Sequence, residues 1–203
     1  MGATAVLVSG TGSILEAIVE EGVGVDLVVA DRPCRGLDVA ARRGIGAVLV
    51  ARTDHGGFGP AFDRLGYTDH VLSVLVARDV DLVCLAGFGT ILAPTFFERL
   101  AGRVLNTHPS LLPAFPGWHA VRDALASGVT ETGCTVHVAT AEVDDGPILR
   151  QAAVAVLPGD DEPTLHERVK AVERVLYPAT IKEVRVALDQ GRPASAVAQA
   201  VPR

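Results

Sequence analysis

The chain is short of aromatics, short of cysteine, and carries no block of positive charge. Aromatic residues make up 4% of it, so a core must rest on Val, Leu, Ile and Ala. Its three cysteines, Cys34, Cys84 and Cys134, lie far apart and form no C-x-x-C pair. That excludes a disulfide framework or a structural zinc site as the organising device. Cys84 and Cys134 sit in apolar surroundings and are expected as buried, inert thiols. The net charge is -6 with no Lys/Arg cluster, which argues against a nucleic-acid partner. Any phosphate ligand must then be held locally, by backbone N–H groups and a few side chains. The N-terminus has no basic segment ahead of a hydrophobic one, and no apolar run approaches the ~18 residues that span a bilayer. A cytoplasmic protein with no membrane partner is expected.

What is present is an ordinary globular balance: 203 residues, 49% hydrophobic and 21% charged. This predicts a single domain over residues 1–203, with a frayed tail after about residue 190. Continuous Val/Leu-rich runs at 5–8, 26–30, 47–50, 81–86 and 103–106 read as strands covered on both faces. Helical stretches at 13–21, 36–43 and 60–78 alternate with them. The fold class is therefore α/β, a three-layer, open, twisted, mostly parallel sheet with helices on both faces. Residues 107–119 hold Pro109, Pro113, Pro116 and Gly117 and read as a long irregular loop. Strands at 134–139 and 148–156, joined by a turn at Asp144-Asp145-Gly146-Pro147, are candidates for antiparallel additions. One long helix is expected over 162–188, with Thr164-x-x-Glu167 as its capping box and Pro178 as a kink or break.

Two segments carry chemistry. Ser9-Gly10-Thr11-Gly12-Ser13 joins the first strand to the first helix, where glycines turn the backbone and the helix start presents free N–H groups to an anion. The third glycine of a dinucleotide fingerprint is Leu15, and no Gly-Lys-Ser/Thr follows, so a single phosphate monoester fits best. The alternative is a plain tight turn. The second segment is the strand end Asn106-Thr107-His108-Pro109-Ser110. Carboxyl ends of strands line the crevice of open α/β sheets. There His108 can act as general acid or base, and Asn106 offers an amide to a developing oxyanion. Asp144, from a separate turn, can support the histidine. Ser110 lacks a nucleophile elbow around it, and Asp144-Asp145 lacks the spacing of metal ligands, so no metal is expected. His119 is a candidate for the same crevice, His137 reads as core or supporting residue, and His55, His70 and His166 read as surface.

The motif Asn106-Thr107-His108-Pro109-Ser110-Leu111-Leu112-Pro113 resembles the folate-dependent formyltransferase family. Ala114-Phe115-Pro116-Gly117-Trp118-His119-Ala120, Ala86-Gly87-Phe88, Asp144-Asp145-Gly146-Pro147-Ile148-Leu149 and Glu173 near Tyr177-Pro178 extend the likeness over nearly the whole chain. The resemblance implies transfer of a formyl group from 10-formyltetrahydrofolate to the amine of phosphoribosylglycinamide, in purine biosynthesis. It implies His108 as general acid, assisted by Asn106, with Asp144 keeping the histidine protonated and helping to remove the amine proton. It assigns Gly12, Ser13 and Ile14 to the substrate phosphate and Glu173 to the glycinamide substrate. It assigns Arg64, Gly89, Thr90, Ile91, Leu92, Asn106, Thr140, Ala141, Glu142, Val143 and Asp144 to the folate pocket, and puts Thr135 near a catalytic water. A homodimer is compatible with the family. The chain departs from the family at Ile14, where Asn is common, at Gly89-Thr90, and at Trp118. Two rivals share the scaffold: a formyltetrahydrofolate deformylase and a formyltransferase for another, sugar amine. A non-catalytic nucleotide-binding module is the rival of a different class.

Overall fold

The computed structural model describes residues 2–198. Seven strands are hydrogen-bonded in the order β3-β2-β1-β4-β5-β6-β7, an open and mostly parallel sheet. The α/β class read from the sequence is the class observed. Chain contacts gather into two compact units, Met1–Leu105 and Asn106–Arg203.

The first unit is built on β1 (Ala3–Val8), β2 (Leu27–Ala30), β3 (Gly46–Leu49) and β4 (Val80–Leu85). β1 pairs in parallel with both β2 and β4, and β2 with β3. β1 and β2 are buried almost end to end, as their unbroken apolar runs require. β3 departs from that expectation. It is an edge strand and largely exposed, because an edge has one neighbour and less cover. Helices α1 (Ser13–Glu20), α2 (Arg35–Arg42), α3 (Arg64–Val76) and α4 (Pro94–Arg99) complete the unit. The helix expected at 60–78 is shorter than its apolar pattern suggests. Asp63 caps it, its carboxylate accepting from Gly66 N–H at 2.9 Å, and residues 52–55 form a separate 3-10 turn. The short α4 opens on Pro94, a residue suited to the first helical turn, and its apolar content is too brief to show a period.

β5 (Val104–His108) begins in the first unit and ends in the second, which also holds α5 (Ala120–Ser127), β6 (Glu131–Val138), β7 (Ile148–Ala155) and α6 (Glu162–Asp189). β6 and β7 pair antiparallel, as expected, with an irregularity between Val136 and His137. Val121, Cys134, Val154, Leu165 and Val169 form a buried cluster that ties α5, β6, β7 and α6 together. α6 runs through Pro178 as one 28-residue helix. Its cap is Asp161, whose carboxylate accepts from Thr164 N–H at 2.9 Å. Thr164 is thus the recipient of the cap, and Glu167 instead pairs with Lys170 and Arg174 further along the helix. Residues 194–197 form a 3-10 turn with Ala194 buried, and Arg150 donates to the Val197 carbonyl. Residues 199–203 lie outside the described ones. Among the described residues, no helix is long and apolar enough to cross a membrane.

Candidate active site

β5 delivers the polar cluster. Alternate residues of a strand face opposite sides, so Asn106 and His108 share one face and Thr107 takes the other. On the first face the turn after β6 brings in Asp144, held in the left-handed region at φ 58, which a short polar side chain tolerates. Its Oδ2 lies 3.2 Å from His108 Nδ1 and accepts from Gly117 N–H at 2.8 Å. Its Oδ1 accepts from Asn106 Nδ2 at 3.5 Å and lies 3.6 Å from His137 Nε2. Burial opposes the charge on Asp144. Hydrogen bonds from His137 and Gly117, with the nearby His108 and His137 rings, outweigh it and hold the carboxyl below its ordinary range. The turn itself depends on Gly146, where a Cβ would stand 1.7 Å from the Val138 carbonyl oxygen.

His108 is 5% exposed. Its Nε2 is 2.8 Å from the Phe115 carbonyl and its Nδ1 faces the Asp144 carboxylate. Both nitrogens meet acceptors, the arrangement that suits a ring carrying two N–H donors. The loop that supplies Phe115 is braced from below by Thr135. Its hydroxyl donates to Ser110 O at 2.6 Å and accepts from Leu112 N–H at 3.0 Å and Gln151 Nε2 at 2.9 Å. A hydroxyl offers one donor and two acceptor sites, so all of Thr135 is committed to the loop. The Ser110 hydroxyl likewise donates to Ala114 O at 2.6 Å, a structural use that agrees with its dismissal as a nucleophile.

On the other face of β5, Thr107 lies 3.3 Å from Cys134 Sγ and hydrogen-bonds Glu173 of α6. Burial drives the Glu173 carboxyl up to about 7, against the opposing effects of Thr107, Lys170 and Arg174. Burial also pushes the Cys134 thiol up to about 12, which fits the inert role expected of it. Glu173 is therefore grouped with Thr107 and Cys134, while Asn106, His108 and Asp144 form their own cluster.

In the first unit, Gly12 caps α1 at φ 74 with no side-chain cap. The N–H groups of Ser13, Ile14 and Leu15 start the helix without an i−4 acceptor inside it. Gly12 is also required by packing, since a Cβ there would stand 2.8 Å from Gly36 Cα. The Ile14 side chain is 7% exposed and belongs to the core, so it can offer a ligand only its N–H. The hydroxyls flanking this loop divide. Ser9 accepts from Gly89 N–H at 2.6 Å and hydrogen-bonds Asp31, and is no free donor to an anion. Thr11 donates to Ser13 Oγ at 3.4 Å.

Arg64 meets the 89–92 segment directly. Its Nε donates to the Ile91 carbonyl at 3.1 Å and its Nη2 to the Leu92 carbonyl. Thr90 turns inward, donating to the fully buried Asp31 at 2.7 Å. Burial disfavours charge on Asp31, but bonds from Arg32, Thr90 and Ser9 prevail and lower its pKa. Thr90 can therefore meet a ligand only through its main chain. In the second unit, Thr140 donates to the Glu142 carbonyl at 3.1 Å, and Ala141, Glu142 and Val143 lie on the turn leading to Asp144, with Val143 exposed.

Sequence reasoning left His137 undecided and passed over Asp31, Gln151 and the Phe115 carbonyl. For His137 a signal was available. On β6 the apolar Cys134, Val136 and Val138 alternate with Thr135 and His137, which puts the two polar residues on one face. Asp31 and the Phe115 carbonyl had none, since both act through contacts distant in sequence or through the main chain.

An open α/β sheet that sets a His–Asp pair and an amide at one strand end is the framework of a group-transfer enzyme. The chain matches the formyl transferase family over residues 3–181 and belongs to it; it is a transferase. It is similar to the phosphoribosylglycinamide formyltransferase of Mycobacterium tuberculosis strain H37Rv, 48% identical over 181 residues, covering 87% of this chain and 81% of that one. The protein of the same name from Escherichia coli K12 is 39% identical over 185 residues, covering 87% and 84%. Among solved structures, the phosphoribosylglycinamide formyltransferase from Streptococcus pneumoniae TIGR4 superposes with a TM-score of 0.83 at 32% identity, covering 91% of this chain and 99% of that one.

Proposed function

We propose that this protein, acting as one domain over residues 1–203 in the cytoplasm, transfers the formyl group of 10-formyltetrahydrofolate to the amine of phosphoribosylglycinamide. The observation that carries the reading is the Asn106, His108 and Asp144 cluster in a chain of this family. The phosphate docks on the segment Gly12, Ser13 and Ile14 at the start of α1, and Glu173 meets the glycinamide substrate. The main chain of Gly89, Thr90, Ile91 and Leu92 and the turn of Thr140, Ala141, Glu142 and Val143 receive the folate, with Arg64 bracing the first of these.

The neutral amine attacks the formyl carbon, and a C–N bond forms as the carbonyl pair moves to oxygen. Proximity makes this attack effectively unimolecular, and no covalent enzyme intermediate is required. His108, charged and supported by Asp144, exchanges its bond to Phe115 O for one to the oxyanion. Collapse of the intermediate breaks the bond from carbon to the folate nitrogen. The proton lost by the amine passes by way of Asp144 toward that leaving nitrogen. The Asp144 carboxyl, held below its ordinary range, stays charged at neutral pH and so supports a charged His108.

The test is release of tetrahydrofolate product, followed by absorbance, from a 10-formyl folate with and without phosphoribosylglycinamide. Release that requires the acceptor supports the reading. Release without it identifies a deformylase, and no release identifies another amine or a non-catalytic protein.

A further inference from the structure

Asp31 is the residue that follows β2, and it is fully buried. β2, β1 and β4 run parallel and side by side, so the segments that follow them emerge at one end of the sheet. Ser9 follows β1, and Gly89 and Thr90 lie in the segment after β4. The Asp31 carboxylate joins these segments. Arg32 donates through Nε to Oδ1 at 2.9 Å and through Nη2 to Oδ2 at 3.0 Å, Thr90 donates to Oδ2 at 2.7 Å, and the Ser9 hydroxyl adds a further bond. A carboxylate has about four accepting sites, so these bonds saturate it and leave nothing for a ligand. A buried charge is tolerated only when its bonds are made, and each bond made here holds a neighbour in place.

The bonds converge on two consecutive residues. Ser9 has one hydroxyl hydrogen, spent on Asp31, and its oxygen accepts from Gly89 N–H at 2.6 Å. Thr90 reaches the same carboxylate directly, and its own oxygen accepts from Arg52 Nη1 at 3.4 Å. Two anchors on adjacent residues fix the peptide plane between them. They thereby fix the direction in which the main chain leaves toward Ile91 and Leu92, whose carbonyls accept from Arg64. The residue types suit this use. A Cβ on residue 89 would stand 3.2 Å from Arg32 Nη2 and 3.5 Å from Ser9 Oγ, so a side chain there would press on the donors of the carboxylate. Thr90 is 5% exposed and spends its hydroxyl inward. Gly89-Thr90, where the chain departs from its family, is thus the pair that fits Asp31-Arg32.

We propose that Asp31 is a positioning residue for the formyl donor: acting through Ser9 and Thr90, it sets the main-chain path of residues 89–92, on which the folate is received. This rests on the formyl-transfer reading above, and the experiment separates the two. Turnover and KM are measured for a 10-formyl folate and for phosphoribosylglycinamide in wild type, Thr90→Val, Thr90→Ser and Asp31→Asn. Thr90→Val keeps the volume and removes one donor to the carboxylate. It raises the folate KM at least ~10-fold, while kcat and the phosphoribosylglycinamide KM stay within ~3-fold. Thr90→Ser keeps the hydroxyl and stays within ~3-fold of wild type in every constant. Asp31→Asn turns one accepting end into a donor that faces other donors, and raises the folate KM at least as far; where that variant does not fold, the Thr90 pair decides. A folate KM unmoved by Thr90→Val, an equal rise in both KM values, or a Thr90→Ser no better than Thr90→Val overturns the proposal. Titration calorimetry with the 10-formyl folate alone gives a reading without turnover, in which Thr90→Val weakens binding at least ~10-fold and Thr90→Ser does not. Wild-type protein that binds no folate overturns the proposal together with the functional reading. Wild-type protein that shows this binding pattern but transfers no formyl group supports the proposal and overturns only the functional reading.

Discussion

Replacing Glu173 with Gln removes one buried ionisation and should reshape stability against pH. In the folded protein burial raises this carboxyl from 4.5 to about 7, with Thr107, Lys170 and Arg174 pulling the other way. Between those two values the native state holds a proton that the unfolded chain has released. Stability therefore falls as pH rises: the contribution is fully present below about 4.5 and gone above about 7. At roughly 1.4 kcal/mol per pH unit, the gap corresponds to about 3 kcal/mol as an upper figure. Gln keeps the shape and an oxygen for the Thr107 hydroxyl, but cannot ionise. Urea unfolding of both proteins at about pH 4, 6 and 8 should show the variant gaining on wild type by about 2–3 kcal/mol across that range. A difference constant to within about 0.5 kcal/mol would refute the claim that Glu173 is protonated by burial.

Three further outcomes follow from the geometry. His108→Ala should lose at least ~100-fold in kcat with little change in phosphate-substrate KM, since it removes a donor needed for the oxyanion; near-normal turnover contradicts the role. Gly12→Ala should destabilise the fold by about 2 kcal/mol, as a non-glycine residue at positive φ, and its methyl would press on Gly36 Cα at 2.8 Å; an unchanged melting temperature contradicts this. Thr135→Val keeps the volume but strips the loop brace from Ser110, Leu112 and Gln151. It should cost about 3 kcal/mol for the buried groups left unpaired, read by denaturation, and a variant as stable as wild type would show the brace to be idle.

Local pattern alone determined much of this protein. The unbroken apolar runs of β1 and β2 marked a parallel sheet because strands covered on both faces need no polar alternation. The strand-end motif at Asn106 and His108 marked a polar cluster because alternate residues of one strand share a face. Family likeness in the same motif pointed to the chemistry. Where the pattern failed, the reason was a partner elsewhere in the chain. β3 looks as apolar as its neighbours and is exposed only because it falls at the sheet edge. Residues 60–63 continue a helical pattern, yet the Asp63 cap begins the helix after them.

Tertiary structure alone decided how each polar group is used. Nothing in the order of residues says that the Ser9 and Thr90 hydroxyls are spent on Asp31, or that the Thr135 hydroxyl bonds Ser110 O and Leu112 N–H. Nor does it say that His137 stands against Asn106 and Asp144 while Glu173 is turned toward Thr107. Hydrogen bonds are short and directional, so a donor's role depends on which acceptor folding brings within about 3 Å of it. Apolar burial needs only the right face and period, which neighbouring residues already encode.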